Sequence, residues 1–90
     1  MIHYQVLYWR DIPAQVKVHA GRRPSAHALP PRFQVAIDRI AMQEGLSGSD
    51  AYLELWQWSE KREFDGDIEA LLSQLTREGD AAIERDEEAA

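Results

Sequence analysis

The sequence predicts an α+β fold: a small single domain in which a β-hairpin and a short third strand carry two to three helices packed on the sheet. Three observations predict it. Residues 2–18 are rich in β-branched and aromatic side chains that alternate along the chain, as a pleated strand requires. Residues 33–41 and 68–75 instead repeat their apolar side chains at helical spacing. The breaks between these runs fall at Gly, Pro, Ser and Asp.

The first run, Ile2 to Trp9, places Ile2, Tyr4, Val6 and Tyr8 on one face and His3, Gln5, Leu7 and Trp9 on the other. Both faces are partly apolar, which suits a strand covered on both sides. In the second run Val16, Val18 and Ala20 alternate with Gln15, Lys17 and His19, giving one dry and one wet face. Asp11 favours a turn, and Pro13 stiffens it by fixing its own backbone and restricting Ile12. A four-residue connection, Arg10 to Pro13, predicts Leu7 and Trp9 beside Val16 and Val18. One residue more or fewer brings Val6 and Tyr8 there instead.

Further along, Gly21 to Ser25 has turn composition and Gly21 to Ala28 reads as a loop. Pro30 and Pro31 then open a helix, since proline is tolerated in a first turn. Its stripe is Phe33, Ala36, Ile37, Ile40 and Ala41, and Gly45 supplies the left-handed residue beyond its end, with Leu46 folding back. Ser49 caps a second, short helix to about Trp56, with Asp50 at its positive end. A strand competes there because Trp56 and Trp58 alternate. Gln57 to Glu63 reads as the third strand, paired with the central first one. Asp65-Gly66-Asp67 is a turn and cap, and Ile68, Leu71, Leu72 and Leu75 form the stripe of a last helix. Gly79 weakens that helix by about 1 kcal/mol relative to alanine, while Ile83 keeps its phase. The domain is expected to span 1–83. Residues 84–90, acidic and without large apolar side chains, are expected to fray.

The run YWRDIPAQVKV, followed by GRR, LPPRFQVAIDRIAM and GLSGSDAYLELW, resembles the small bacterial virulence factor domain family and the C-terminal part of larger proteins called conserved virulence factor C. The resemblance runs from Tyr4 to about Leu75. It implies no reaction and carries over no functional residue. It does imply a neighbourhood of cobalamin-dependent one-carbon transfer, and with it the alternative of an accessory subunit of that methyl transfer. Residues 29–56 also resemble, in spacing, the paired helices of ribbon-helix-helix DNA-binding proteins, although the Gly21–Ala28 loop separates them from any preceding strand.

The totals narrow the function. Ninety residues make one domain that buries roughly 60% of its unfolded surface, a thin core. Without cysteine there is no disulfide, zinc-thiolate site or thiol nucleophile. No run approaches membrane-spanning length and residues 1–20 lack a signal-peptide core, so the expected location is cytoplasmic, with no membrane. The net charge of −6 is uneven: residues 1–45 carry six basic and three acidic groups, residues 46–90 four and thirteen. Attraction between the halves, or plain solvation, explains this best; the sharper reading is a basic surface for an anionic partner.

Catalytic patterns are missing. His3, His19 and His27 have no metal-ligand spacing, and the preferred hairpin register puts His3 and His19 on opposite faces. Ser47, Ser49 and Ser59 lack a nucleophile elbow, and Ser49 is a cap. The carboxylates after residue 60 fit a solvated helix face. No cofactor, metal or catalytic residue is expected, and the protein is read as a non-enzymatic interaction or accessory module. Its partner is expected to be another protein or a second copy. Six large rings, Tyr4, Tyr8, Trp9, Tyr52, Trp56 and Trp58, are more than a small sheet buries, and a surplus ring near arginines makes a docking hot spot. The candidate partner-binding residues are Tyr8, Trp9, Arg10, Asp11, Arg22, Arg23 and Trp58. Nucleic-acid binding through the basic half and the helix pair is the alternative, disfavoured by an isoelectric point near 4.9.

Overall fold

The computed structural model describes residues 1–89. In chain order the elements are β1 (Ile2–Trp9), β2 (Ile12–His19), β3 (Ser25–Ala28), α1 (Pro31–Gln43), α2 (Asp50–Glu54), β4 (Trp56–Trp58), β5 (Arg62–Phe64) and α3 (Ile68–Ala89). They form one antiparallel sheet in the order β3-β2-β1, with β4 and β5 both on the far side of β1. The α+β class and the central position of β1 are as the sequence predicts.

The hairpin register differs from the preferred one. Tyr4 faces Val18 and Val6 faces Val16, while Trp9 faces Ile12 across a connection of only Arg10 and Asp11. The strands reach further toward the turn because Ile12 and Pro13 are both buried. Pro13 has no N–H for the ladder, and the pairing slips between Leu7–Gln15 and Tyr8–Pro13, leaving Ala14 unpaired as a bulge. The freed Ala14 carbonyl accepts from the Leu29 N–H at 3.1 Å. That bond anchors the chain as it leaves β3 for α1. Ser25–Ala28, expected as loop, is therefore an edge strand; alternation is weak in SAHA, and its partner β2 decides the matter.

The third strand is split in two. Trp56–Trp58 pairs with Leu7–Trp9, and Arg62–Phe64 pairs with Ile2–Tyr4. Ser59 bridges the gap: its N–H donates to Val6 O at 2.8 Å, and its hydroxyl accepts from the Val6 N–H at 2.9 Å. The short helix α2 ends at Glu54, before Trp56, so the alternating tryptophans are strand.

The core lies between the inner sheet face and the helices. Tyr4, Val6, Val16 and Val18 meet the stripes of α1 (Phe33, Ile37, Ile40, Ala41) and α3 (Leu71, Leu75, Ala82). Gly45, at φ +71°, closes α1: its N–H donates to Met42 O and the Leu46 N–H to Ala41 O, so the last carbonyls are satisfied. Ser49 caps α2 by accepting from the Tyr52 N–H, and Asp67 caps α3 by accepting from the Ala70 N–H. Helices α1 and α3 run side by side in the same direction, held by Arg32–Asp80 and Arg39–Glu87 pairs.

The expected frayed tail is a correction as well. Residues 84–89 belong to α3, tied down by Arg39–Glu87 and by Arg85 to Asp11 at 3.4 Å. Residue 90 lies outside the described residues. Among the described residues no helix is long and apolar enough to cross a membrane.

Candidate functional site: the open face of the sheet

Residues paired across strands share a face, so the register draws the surface opposite α3 as rows. One row is Ile12, Trp9 and Trp56. The next is Ala28, Gln15, Leu7 and Trp58. Ala26, Lys17 and Gln5 follow, then His19, His3 and Glu63. Helix α2 covers the first row, where the Tyr52 ring sits 5.8 Å from that of Trp9 and the Trp9 indole N–H donates to Tyr52 O at 3.1 Å. The other three rows carry no helix over most of their breadth.

On that open area Trp58 is 44% exposed, and it is the only exposed aromatic side chain among the described residues. Lys17 Nζ lies over its ring, 4.7 Å from the centroid. Beside this pair a groove of about 260 Å³ opens between Leu7, Ala14, Gln15, Leu29, Pro30 and Trp56. The bulge at Ala14 and the exit of the chain through Leu29 and Pro30 shape it.

The expected site residues therefore separate. Trp58 is on the open face, as a docking residue must be. Trp9 is fully buried and offers a partner nothing; its proposed surface role is corrected, because α2 and Trp56 cover its row. Tyr8 is half-buried, and its hydroxyl accepts from the Arg62 guanidinium at 3.1 Å. Arg10 turns away to form a two-pronged pair with Glu44, holding that carboxyl below its ordinary range, and Asp11 pairs with Arg85. Both thus serve the hairpin end rather than the open face. Arg22 and Arg23 are exposed on the β2–β3 loop, at the His19 end of the sheet.

His3 and His19, expected on opposite faces, are direct neighbours on the open one. The bulge at Ala14 brings this about, by shifting the register one residue beyond the turn. His3 reaches Glu63 at 3.3 Å, and His19 Nε2 meets Gln5 Oε1 at 3.0 Å. Partial desolvation, then Lys61, Lys17 and His3, push the His19 ring below its ordinary pKa. The described residues hold no cluster of three or more side chains suited to a metal ion. Lys17, Leu7 and Gln15 were missed as site residues. Alternation already put Lys17 on the wet face of β2, but nothing local told that β4 would bring Trp58 beside it.

The "Virulence factor" family model matches residues 7–88. The chain belongs to that family. Comparison with curated proteins and with solved structures returned no match. In this virulence factor family domain the matched segment takes in both sheet faces from Leu7 onward and nearly all of α3.

Other exposed apolar side chains do not make a second surface. Val35 and Met42 on α1 flank Asp38 and Arg39, and Leu53 stands on α2. Single exposed apolar residues broken up by charge are ordinary.

Proposed function

We propose that this virulence factor family domain is a non-enzymatic docking module that holds a protein partner on the open sheet face. The observation that carries the reading is the exposed Trp58 ring, stacked by Lys17 and set beside an apolar groove. Tryptophan is among the side chains most enriched in interface hot spots, where it packs into or beside a pocket. A ring this large is otherwise sealed in a thin core, as Trp9 and Phe33 are.

The test is affinity capture from the source cells with the wild-type domain, Trp58→Ala and Val35→Ala. The reading expects a protein retained by wild type and Val35→Ala and lost with Trp58→Ala, all three being equally folded. Retention by Trp58→Ala, or loss with Val35→Ala alone, contradicts it.

A further inference from the structure

Arg10, Arg32, Arg39, Arg62 and Arg85 all pair with carboxylates, mostly around the helices. Five basic side chains enter no ion pair among the described residues: Arg77, alone on α3, and Lys17, Arg22, Arg23 and Lys61. The last four belong to β2, the β2–β3 loop and the β4–β5 loop, which border one end of the open face. His19 shares this end of the face: partial desolvation, then Lys61 and Lys17, hold its ring below the ordinary pKa. A chain of net charge −6 therefore keeps four unpaired cations toward one end of the face that carries its exposed tryptophan.

Two features fix the shape of an occupant. The groove, about 260 Å³, falls below the roughly 300–1,000 Å³ of small-molecule sites and fits one large side chain instead. From it Gln15, Lys17 and His19 follow along β2 at every second residue, about 6.6 Å apart. An extended peptide repeats at the same interval. An apolar side chain seated by Gln15 then places its second and fourth successors over Lys17 and His19.

Building on the docking reading, we propose that the open face takes an extended acidic peptide, with one large apolar residue in the groove and carboxylates two and four positions on, over Lys17 and His19. Nucleic acid fits less well. A polyanion needs a continuous basic track, and here the cations occupy one end while Glu63 shares the face.

The probe is a short fluorescein-labelled peptide containing Leu-Ser-Glu-Ser-Glu, followed by fluorescence polarisation. Controls carry Ala for Leu, or Lys for both Glu, and labelled oligo-deoxythymidine stands for nucleic acid. Expected is salt-sensitive binding of the acidic peptide. It should weaken about tenfold with Lys17→Glu, with Trp58→Ala, and with Ala28→Leu, which obstructs the groove from an exposed position. The Ala and Lys peptides should bind at least tenfold less. Equal binding of the Lys peptide, tighter binding of the oligonucleotide, or no loss in the three folded variants overturns the proposal. If the acidic peptide fails while Trp58-dependent capture from cells succeeds, the partner chemistry is wrong and the docking surface stands. Failure of both removes the surface itself.

Discussion

Gly79 lies against the ring of Phe33: a Cβ at position 79 would stand 2.4 Å from Phe33 Cε2. Both residues are buried between α1 and α3, so the missing side chain is what allows the helices to approach. Helix propensity alone favours Gly79→Ala by about 1 kcal/mol. Overpacking a filled core costs about 1–3 kcal/mol, and the Phe33 ring, fully enclosed, has nowhere cheap to go. Urea unfolding should therefore find Gly79→Ala less stable than wild type. A stabilised variant would show that the two helices adjust freely.

Trp9 and Trp58 share one face but should part company on substitution. Removing the fully buried Trp9 ring should cost about 3–5 kcal/mol, much of the stability of so small a domain. Trp58→Ala should cost no more than about 1 kcal/mol and affect binding instead. Chemical denaturation of both variants checks this, and similar losses from the two would contradict it.

Arg10 holds a left-handed backbone, φ +57°, which a non-glycine residue adopts at a cost of about 1–2 kcal/mol. Its compensation is the two-pronged pair with Glu44 and the stacking over Trp9, 5.0 Å from the ring centre. Arg10→Ala loses the contacts and keeps the strain, whereas Arg10→Gly loses both. The glycine variant should be more stable than the alanine variant by about 1 kcal/mol. Equal melting temperatures would argue that the turn is not strained.

Stability should fall as pH drops through the ordinary histidine range. His19 is held below its usual pKa, so the unfolded chain takes up its proton first, at about 6.5, and unfolding gains as pH falls from there. The loss stops once the folded form is protonated too. The lowered carboxyls of Glu44, Glu60 and Asp80 act in a separate window, below about 4.5, so they do not confuse the result. Thermal unfolding at pH 7.5 and 5.5 should show a smaller difference in His19→Gln than in wild type. An unchanged difference would remove His19 as the cause.

Much of this fold was legible because local chemistry decided it. The caps at Ser49 and Asp67, the Gly45 helix end and the stripes of α1 and α3 all depend on residues near in sequence. What escaped depends on distant partners. The hairpin register turned on Pro13 breaking the ladder and Ala14 bulging out, which a count of loop residues could not weigh. The strand character of Ser25–Ala28 comes from β2, and residues 84–89 simply continue α3, with Arg85 and Glu87 meeting Asp11 and Arg39. The site shows the same division. Composition pointed to a surplus ring, and Trp58 is that ring; which cation stood beside it required knowing that β4 pairs with β1.

The claim on which the rest depends is that the open sheet face, not the helical side, meets a partner. Its most direct test is a photo-crosslinking amino acid placed in turn at Ala26, exposed on the open face beside Lys17, and at Val35, on α1, in the full chain within its source cells. The account predicts a specific adduct from position 26 that Trp58→Ala suppresses, and none from position 35. An adduct from position 35 alone, or one from position 26 indifferent to Trp58, would contradict it.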